Sequence, residues 1–190
     1  LSAIVIAREP LAGLLDSGLE ALLREHWEEV AHNRDAIALD PDWPGYLEDE
    51  RQGRFITWSA RRDGDLVGYN AFYVMRHRHY KGDVFAVNDV IFLTKEERGA
   101  TGIALIIEVE KALRAMGASK VFYHAKSDAL LGEYGDSLQT ISDIHEVEEI
   151  TGQDIPDSMF GTDLTLGNVL QVLGYGHTEN QFGKLLKEPA

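Results

Sequence analysis

Two periods of hydrophobic and polar positions divide this chain of 190 residues. Short apolar runs rich in β-branched and aromatic residues predict strands at 2–6, 55–60, 66–74, 85–93 and 120–125. Helical spacing governs 19–30, where Leu22, Leu23, His26, Trp27 and Val30 fall on one side. It returns after residue 102, where Ile103, Ile106, Ile107, Leu113 and Met116 recur and Gly117 is placed to end the helix. Asp40-Pro41-Asp42-Trp43-Pro44 breaks the chain before a short polar helix at about 46–52. Arg62-Asp63-Gly64-Asp65 reads as a hairpin turn with Asp-Gly at its centre. The expected order is a strand, two helices, three strands, a helix, a strand, a helix and a final strand pair.

Chemistry concentrates where the 85–93 strand gives way to the next helix, at Arg98-Gly99-Ala100-Thr101-Gly102-Ile103-Ala104. A glycine-containing turn that opens a helix leaves several backbone N–H groups without partners and aimed at one spot, which suits phosphate oxygens. The loop lacks the Gly-Lys-Ser/Thr ending of a nucleoside-triphosphate loop. It also lacks the three-glycine dinucleotide fingerprint, and no β–α–β unit is expected to begin at it. Two readings stay open from the residues themselves: a pyrophosphate cradle, or a tight connection shaped by Gly99 and Gly102.

Composition narrows the classes. The length fits one domain with a real core, and a hydrophobic share of 44% is ordinary for a globular protein. There is no cysteine, which removes disulfides, thiolate catalysis and cysteine-based zinc sites. No apolar run approaches a membrane span, and residues 1–8 lack the layout of a secretion signal, so a cytoplasmic location is the expectation. The net charge of −14 argues against nucleic acid and anionic membrane as partners. It suits a cationic acceptor such as a polyamine or a lysine side chain, and it also serves solubility. Arg98 and the run Arg76-His77-Arg78-His79-Tyr80-Lys81 are the evident reserves of positive charge.

The order of elements, the loop at 99–104 and Leu173-Gly174-Tyr175 resemble the GNAT-type N-acetyltransferases over most of the chain. That family carries Arg/Gln-x-x-Gly-x-Gly/Ala after its fourth strand. Gly102 and Ala104 match its last two elements, glycine stands where Arg or Gln belongs, and Arg98 lies one residue early. The variant Arg-Gly-x-x-Gly-Ile, with His79-Tyr80 and Asp89-Val90-Ile91-Phe92-Leu93 before it, is most similar to a subgroup found in bacteriophage genomes, which would place the protein in the host cytoplasm. The resemblance implies one α/β domain over 1–190, with a mixed, mostly antiparallel sheet and helices on both faces. It implies acetyl-CoA as the cofactor, with the pyrophosphate on backbone N–H groups of Gly99, Ala100, Thr101, Gly102 and Ile103 and with Arg98 adding charge. It also implies a fourth strand pried from the fifth, so that pantetheine bonds to the backbone at Val90, Ile91, Phe92 and Leu93.

Acyl transfer to an amine needs a held thioester, a base for the ammonium proton and a stabilised oxyanion. Asp89 is the candidate base, because a carboxylate on an otherwise apolar strand is out of place unless it faces a cavity. The other reading is a structural carboxylate paired with Arg78 or His79. In a strand His77 and His79 would share one face. They could form a metal pair with Asp89, a water or proton relay led by His79, or a solvated basic strand end. The metal reading lacks a third ligand and no metal is assigned. The family's general-acid tyrosine falls on Leu170, so no acid is assigned. Tyr175 and His124 are expected in the core, while Tyr134 and His177 are not placed by the sequence.

An acidic stretch at 132–161, with a helix expected at 141–150 and a stop at Pro156, exceeds the usual link at this point and reads as a functional or interaction insertion. The expected activity is transfer of an acetyl or other acyl group from acetyl-CoA to a primary amine, on a small molecule or a protein lysine, by direct attack. The alternative is a catalytically weak or inactive interaction protein of the same fold that acts through the insertion. Both the last strands and the insertion offer surface for a homodimer.

Overall fold

A computed structural model describes residues 3–31, 34–124, 152, 169–171 and 173–176 of the chain. The elements are β1 (Ile4–Arg8), α1 (Leu11–Asp16), α2 (Leu19–Val30), α3 (Trp43–Arg51), β2 (Phe55–Arg62), β3 (Asp65–Arg76), β4 (Val84–Leu93), a 3-10 turn (Lys95–Glu97), α4 (Ala100–Ala115) and β5 (Ala118–Phe122). The sheet runs in sequence order. Strands β1 to β4 pair antiparallel, and β5 pairs parallel to β4. The protein is therefore a single α/β domain with a mixed sheet. Because α4 carries the chain between two parallel neighbours, β4–α4–β5 is a β–α–β unit, contrary to the expectation that none begins at the glycine loop.

Local chemistry explains the main joints. Asp63 and Gly64 both have positive φ, 53° and 93°, as a two-residue type I′ hairpin requires. The proline-rich break at 40–44 is a helix start. Asp42 caps α3 by accepting from the Gly45 N–H at 3.0 Å, and Pro44 sits in the first turn, where its missing N–H is harmless. That cap brings Tyr46 down onto the sheet beside Phe55 and Tyr73.

The sheet separates two cores. On one face Leu11, Leu14, Leu19, Phe55, Tyr69, Ala71 and Phe92 pack with α1, α2 and α3. On the other, Leu105, Val109 and Leu113 of α4 share a cluster with Ile56, Trp58, Phe72 and Ala86. A second side of α4, Ile103, Ile106 and Ile107, meets Val169 and Leu170. Cover on two sides is why this helix is apolar nearly all round. Met116, expected on its buried side, is instead exposed at the C-cap, past the last turn that faces the sheet. The acidic stretch 132–161 (Gly152 apart), the helix expected at 141–150, the final strand pair, Tyr134 and His177 lie outside the described residues.

Candidate active site

The described sheet parts between β4 and β5. The ladder between β4 and β5 runs from Val84↔Ala118 to Val87↔Phe122 and stops there. From Asn88 to Leu93, β4 is paired with β3 alone among the described strands. Among the described residues no strand pairs with the other edge of this segment, and its backbone N–H and C=O groups need partners from elsewhere. Val90, Ile91, Phe92 and Leu93, the residues expected to meet pantetheine, lie on this segment of β4, past the last described pairing with β5.

A β-bulge sits where the two strands part. Ala71 of β3 pairs with Val90 and Phe72 with Asn88, so Asp89 faces no residue of β3. The extra residue shifts the strand's alternation. Ala86, Ile91 and Leu93 belong to the α4 side, while Val90 and Phe92 belong to the α1–α3 side. Bulges commonly re-aim a side chain next to a site. Here Asp89 projects toward α3, where the Tyr46 hydroxyl donates to its Oδ2 at 3.2 Å.

Asp89 still reaches solvent as a residue. Enough protein crowds its carboxyl, however, that burial raises its pKa above the usual carboxylate value. The Tyr46 hydrogen bond and the nearby His124 pull in the opposite direction. The carboxylate charge in turn helps hold the hydroxyls of Tyr46, Tyr69 and Tyr73 protonated, with burial as the larger cause at each. Tyr69 is fixed from the other side by His26, whose Nδ1 lies 3.1 Å from its hydroxyl. The base candidate therefore faces three tyrosine hydroxyls and a histidine.

Gly99 and Gly102 stand at the start of α4. Gly99 caps α4 with φ 92° and ψ −122°, a conformation that a side chain strains, and no side chain among the described residues caps the helix. Replacing Gly99 with Ala is expected to lower stability by about 1–3 kcal/mol, read as a lower denaturant midpoint. The N–H groups of Ala100, Thr101 and Gly102 lie in the first turn, where the helix supplies no acceptor. The N–H of Ile103 already donates to the Gly99 carbonyl at 3.2 Å, and its side chain is buried, so Ile103 supports the cradle from below. A Cβ built on Gly102 would meet Leu93 at 3.5 Å, an ordinary contact. Among the described residues a Cβ at Gly102 would therefore fit without displacing a neighbour.

Arg98 is held more tightly than its expected role requires. Its Nη2 lies 2.6 Å from Glu29 Oε2 of α2, its Nε donates to the Leu93 carbonyl at 3.0 Å, and its guanidinium lies over the Phe92 ring. Both side chains of the ion pair are mostly buried. Arg98 thus ties α2 to the foot of the cradle, a contact across 69 positions that no local pattern signals.

His79 is not brought to Asp89. Strand β3 ends at Arg76 and β4 begins at Val84, so residues 77–83 form the hairpin turn rather than more strand. There the His79 N–H donates to His77 Nδ1 at 3.2 Å, and His77 lies against Tyr80 and Phe85. Five strand positions, roughly 16 Å, separate Val84 from Asp89. The histidine that acts on Asp89 is His124, expected in the core but exposed just beyond β5. Continuing the parallel register by two places would set it beside Asp89. Among the described residues no three His, Asp or Glu side chains are grouped to hold a metal ion. Leu170 is buried against α4, and the Tyr175 hydroxyl donates to Glu110 Oε2 at 3.0 Å, toward the far end of that helix.

No family model matches the chain, and no curated protein matches it. Solved structures do. An aminoglycoside acetyltransferase from an uncultured soil metagenomic sample, in complex with sisomicin, aligns over 74% of this chain and 90% of its own, at 19% identity and a TM-score of 0.54. A ribosomal-protein-alanine N-acetyltransferase from Brucella melitensis biovar Abortus 2308 covers 70% of this chain and 86% of its own, at 22% identity and a TM-score of 0.51. The fold is that of the GNAT acetyltransferases. AAC(6')-Iy, in complex with the bisubstrate analogue CoA-S-monomethyl-acetylneamine, spans 97% of this chain and 98% of its own at 16% identity and a TM-score of 0.52. At such identities the likeness speaks for the acetyltransferase fold, and the chemistry has to be argued from the residues of this chain.

Proposed function

We propose that this protein is an N-acyltransferase that moves the acetyl group of acetyl-CoA to a primary amine by direct attack. One coincidence carries the proposal. At the point where β4 parts from β5, a bulge presents a carboxylate, and the same strand leads into a helix whose first-turn N–H groups have no acceptor within the helix. Acetyl-CoA would supply the acetyl group already activated as a thioester. The N–H groups of Ala100, Thr101 and Gly102 would hold its pyrophosphate, and the edge of Val90 to Leu93 would hold the pantetheine arm. Asp89 takes the proton that the acceptor ammonium must lose before its nitrogen can attack. With no cysteine in the chain, a thioester acyl-enzyme has no residue to form on.

The acceptor reading draws on charge and on the neighbours. A chain of net charge −14 favours a cationic acceptor, and the structures of similar fold include an aminoglycoside acetyltransferase bound to sisomicin and a ribosomal-protein-alanine N-acetyltransferase. We therefore read the acceptor as a small polyamine-like molecule or a protein amine. The glycine-loop variant and His79-Tyr80 support placing the chain with the bacteriophage-encoded subgroup, acting in the host cytoplasm.

Titrating the purified protein calorimetrically with acetyl-CoA, CoA and ATP tests the cofactor. Both CoA species are expected to bind and ATP is not; a protein that binds neither CoA species would overturn the proposal. The base has its own test in the pH profile of kcat/KM. Asp89 works as a carboxylate, so activity rises with pH through its pKa. Tyr46→Phe removes a hydrogen bond that favours the charged form, so the acidic limb should move to higher pH. A limb that stays in place, or moves down, would remove Asp89 from the role.

A further inference from the structure

The opening between β4 and β5 is held by side chains as well as by the loss of the ladder. Asn88 is buried at 3% exposure, and its Nδ2 donates to Asn70 Oδ1 at 2.8 Å, to the Ala71 carbonyl at 3.0 Å and to the Val90 carbonyl at 3.1 Å. The last two belong to the residue pair on one side of the bulge, Ala71 of β3 and Val90 of β4, while Asn88 itself stands on the other side. Asn70, fully buried, passes the connection on: its Nδ2 donates to the Tyr123 hydroxyl at 3.2 Å. Tyr123 is the residue directly after Phe122, the last β5 position in the ladder. Strand β3 is not a neighbour of β5, yet Asn70 and Tyr123 meet across β4 at the place where backbone pairing ceases.

Such an arrangement is more than a filled core position requires. Apolar residues would pack this layer of the sheet at less desolvation cost, as Phe72 and Ala86 do beside it. Three amide and hydroxyl groups in sequence fix distances that apolar contacts leave loose. Phe72 and Tyr175 grip the Tyr123 ring edge-on, so its hydroxyl is held pointing at Asn70.

We infer that Asn70, Asn88 and Tyr123 form a stitch across three strands that sets the width of the β4–β5 opening and fixes the bulge presenting Asp89. All three are positioning residues for acyl transfer, which rests on the function proposed above. The two ends of the stitch have different duties. Asn88 holds the bulge, and with it the placement of the carboxylate. Tyr123 holds β5 at its distance, and with it the slot for the cofactor arm.

Two variants separate these duties from a general effect on folding. Tyr123→Phe keeps the ring and removes only the hydroxyl, so it should fold. It is expected to raise KM for acetyl-CoA about tenfold, the equivalent of one buried hydrogen bond, with kcat largely kept. Asn88→Ala should do the reverse and lower kcat at least tenfold with KM little changed. Amide hydrogen exchange on the ligand-free protein supplies a readout that does not need turnover. Exchange should quicken at 88–93 in Asn88→Ala and at 118–122 in Tyr123→Phe, with β1 to β3 unchanged in both. Should Asn88→Ala not fold, Tyr123→Phe alone decides the matter. Variants that lower only the melting temperature, with exchange along these strands and the KM–kcat split as in the parent, would overturn the stitch. A parent protein inert toward acetyl-CoA would instead sink the function it rests on, and the exchange experiment would still judge the stitch.

Discussion

Gly102→Val should leave the protein folded and cost it acetyl-CoA binding by roughly 100- to 10,000-fold. The fold is expected to survive for two reasons. A Cβ at this position meets Leu93 at an ordinary 3.5 Å, and valine is no worse than glycine in a helix interior. Its methyl groups would crowd the first turn of α4, whose N–H groups at Ala100, Thr101 and Gly102 are those proposed to hold the pyrophosphate. Oxygen acceptors must come within about 3 Å of such donors, and a β-branched side chain denies that approach. Losing two charge-assisted hydrogen bonds, each worth about 1.5–3 kcal/mol, gives the stated range. Calorimetric titration of the variant, with circular dichroism to confirm its fold, checks the outcome. Unchanged affinity in a folded Gly102→Val protein would mean that the glycine serves only the turn.

Asp89→Asn should have the second large effect, on rate rather than on binding. General-base catalysis contributes about 100- to 10,000-fold, and kcat/KM for amine acetylation should fall within that range. The amide is isosteric and can still accept from Tyr46, so the bulge and the cradle should be undisturbed. Acetyl-CoA should bind the variant as it binds the parent. Activity should partly recover at alkaline pH, where the acceptor amine sheds its proton without help. A variant with parental rates near neutral pH would show that Asp89 is a structural carboxylate.

Much of this architecture was legible along the chain, because period and turn chemistry are local. The Asp63-Gly64 turn, the two hairpin strands, α2 and the long apolar helix after Gly99 all follow from spacing. Helix α1, only six residues after Pro10, is too short to show a period and went unread. Asp89 stood out as a charge on an apolar strand, and the bulge that aims it also leaves a trace. Ala86 and Asn88 keep one phase while Ile91 and Leu93 keep the other, an interval of three where alternation requires two.

What failed was long-range. Alternating histidines and arginines at 76–79 looked like strand, but the chain leaves β3 at Arg76, so His79 turns away from the site. His124 could be placed only through the parallel register of β4 and β5, which a single sequence does not reveal. The same holds for Glu29 on Arg98 and for Asn70 on Tyr123, contacts between residues far apart in the chain. Polar residues at intended core positions were the readable sign of this last group. Asn70 and Asn88 are buried amides whose partners only the assembled sheet supplies.

The most direct test is release of the CoA thiol from acetyl-CoA by the purified protein, followed with and without an added amine. The panel should include a polyamine, an aminoglycoside, a peptide with an N-terminal alanine and a lysine-containing peptide. The expected result is release that requires one of these amines and is lost in Asp89→Asn. Release with none of them, by a protein that binds acetyl-CoA, would contradict acyl transfer and point to an interaction protein acting through its acidic 132–161 segment.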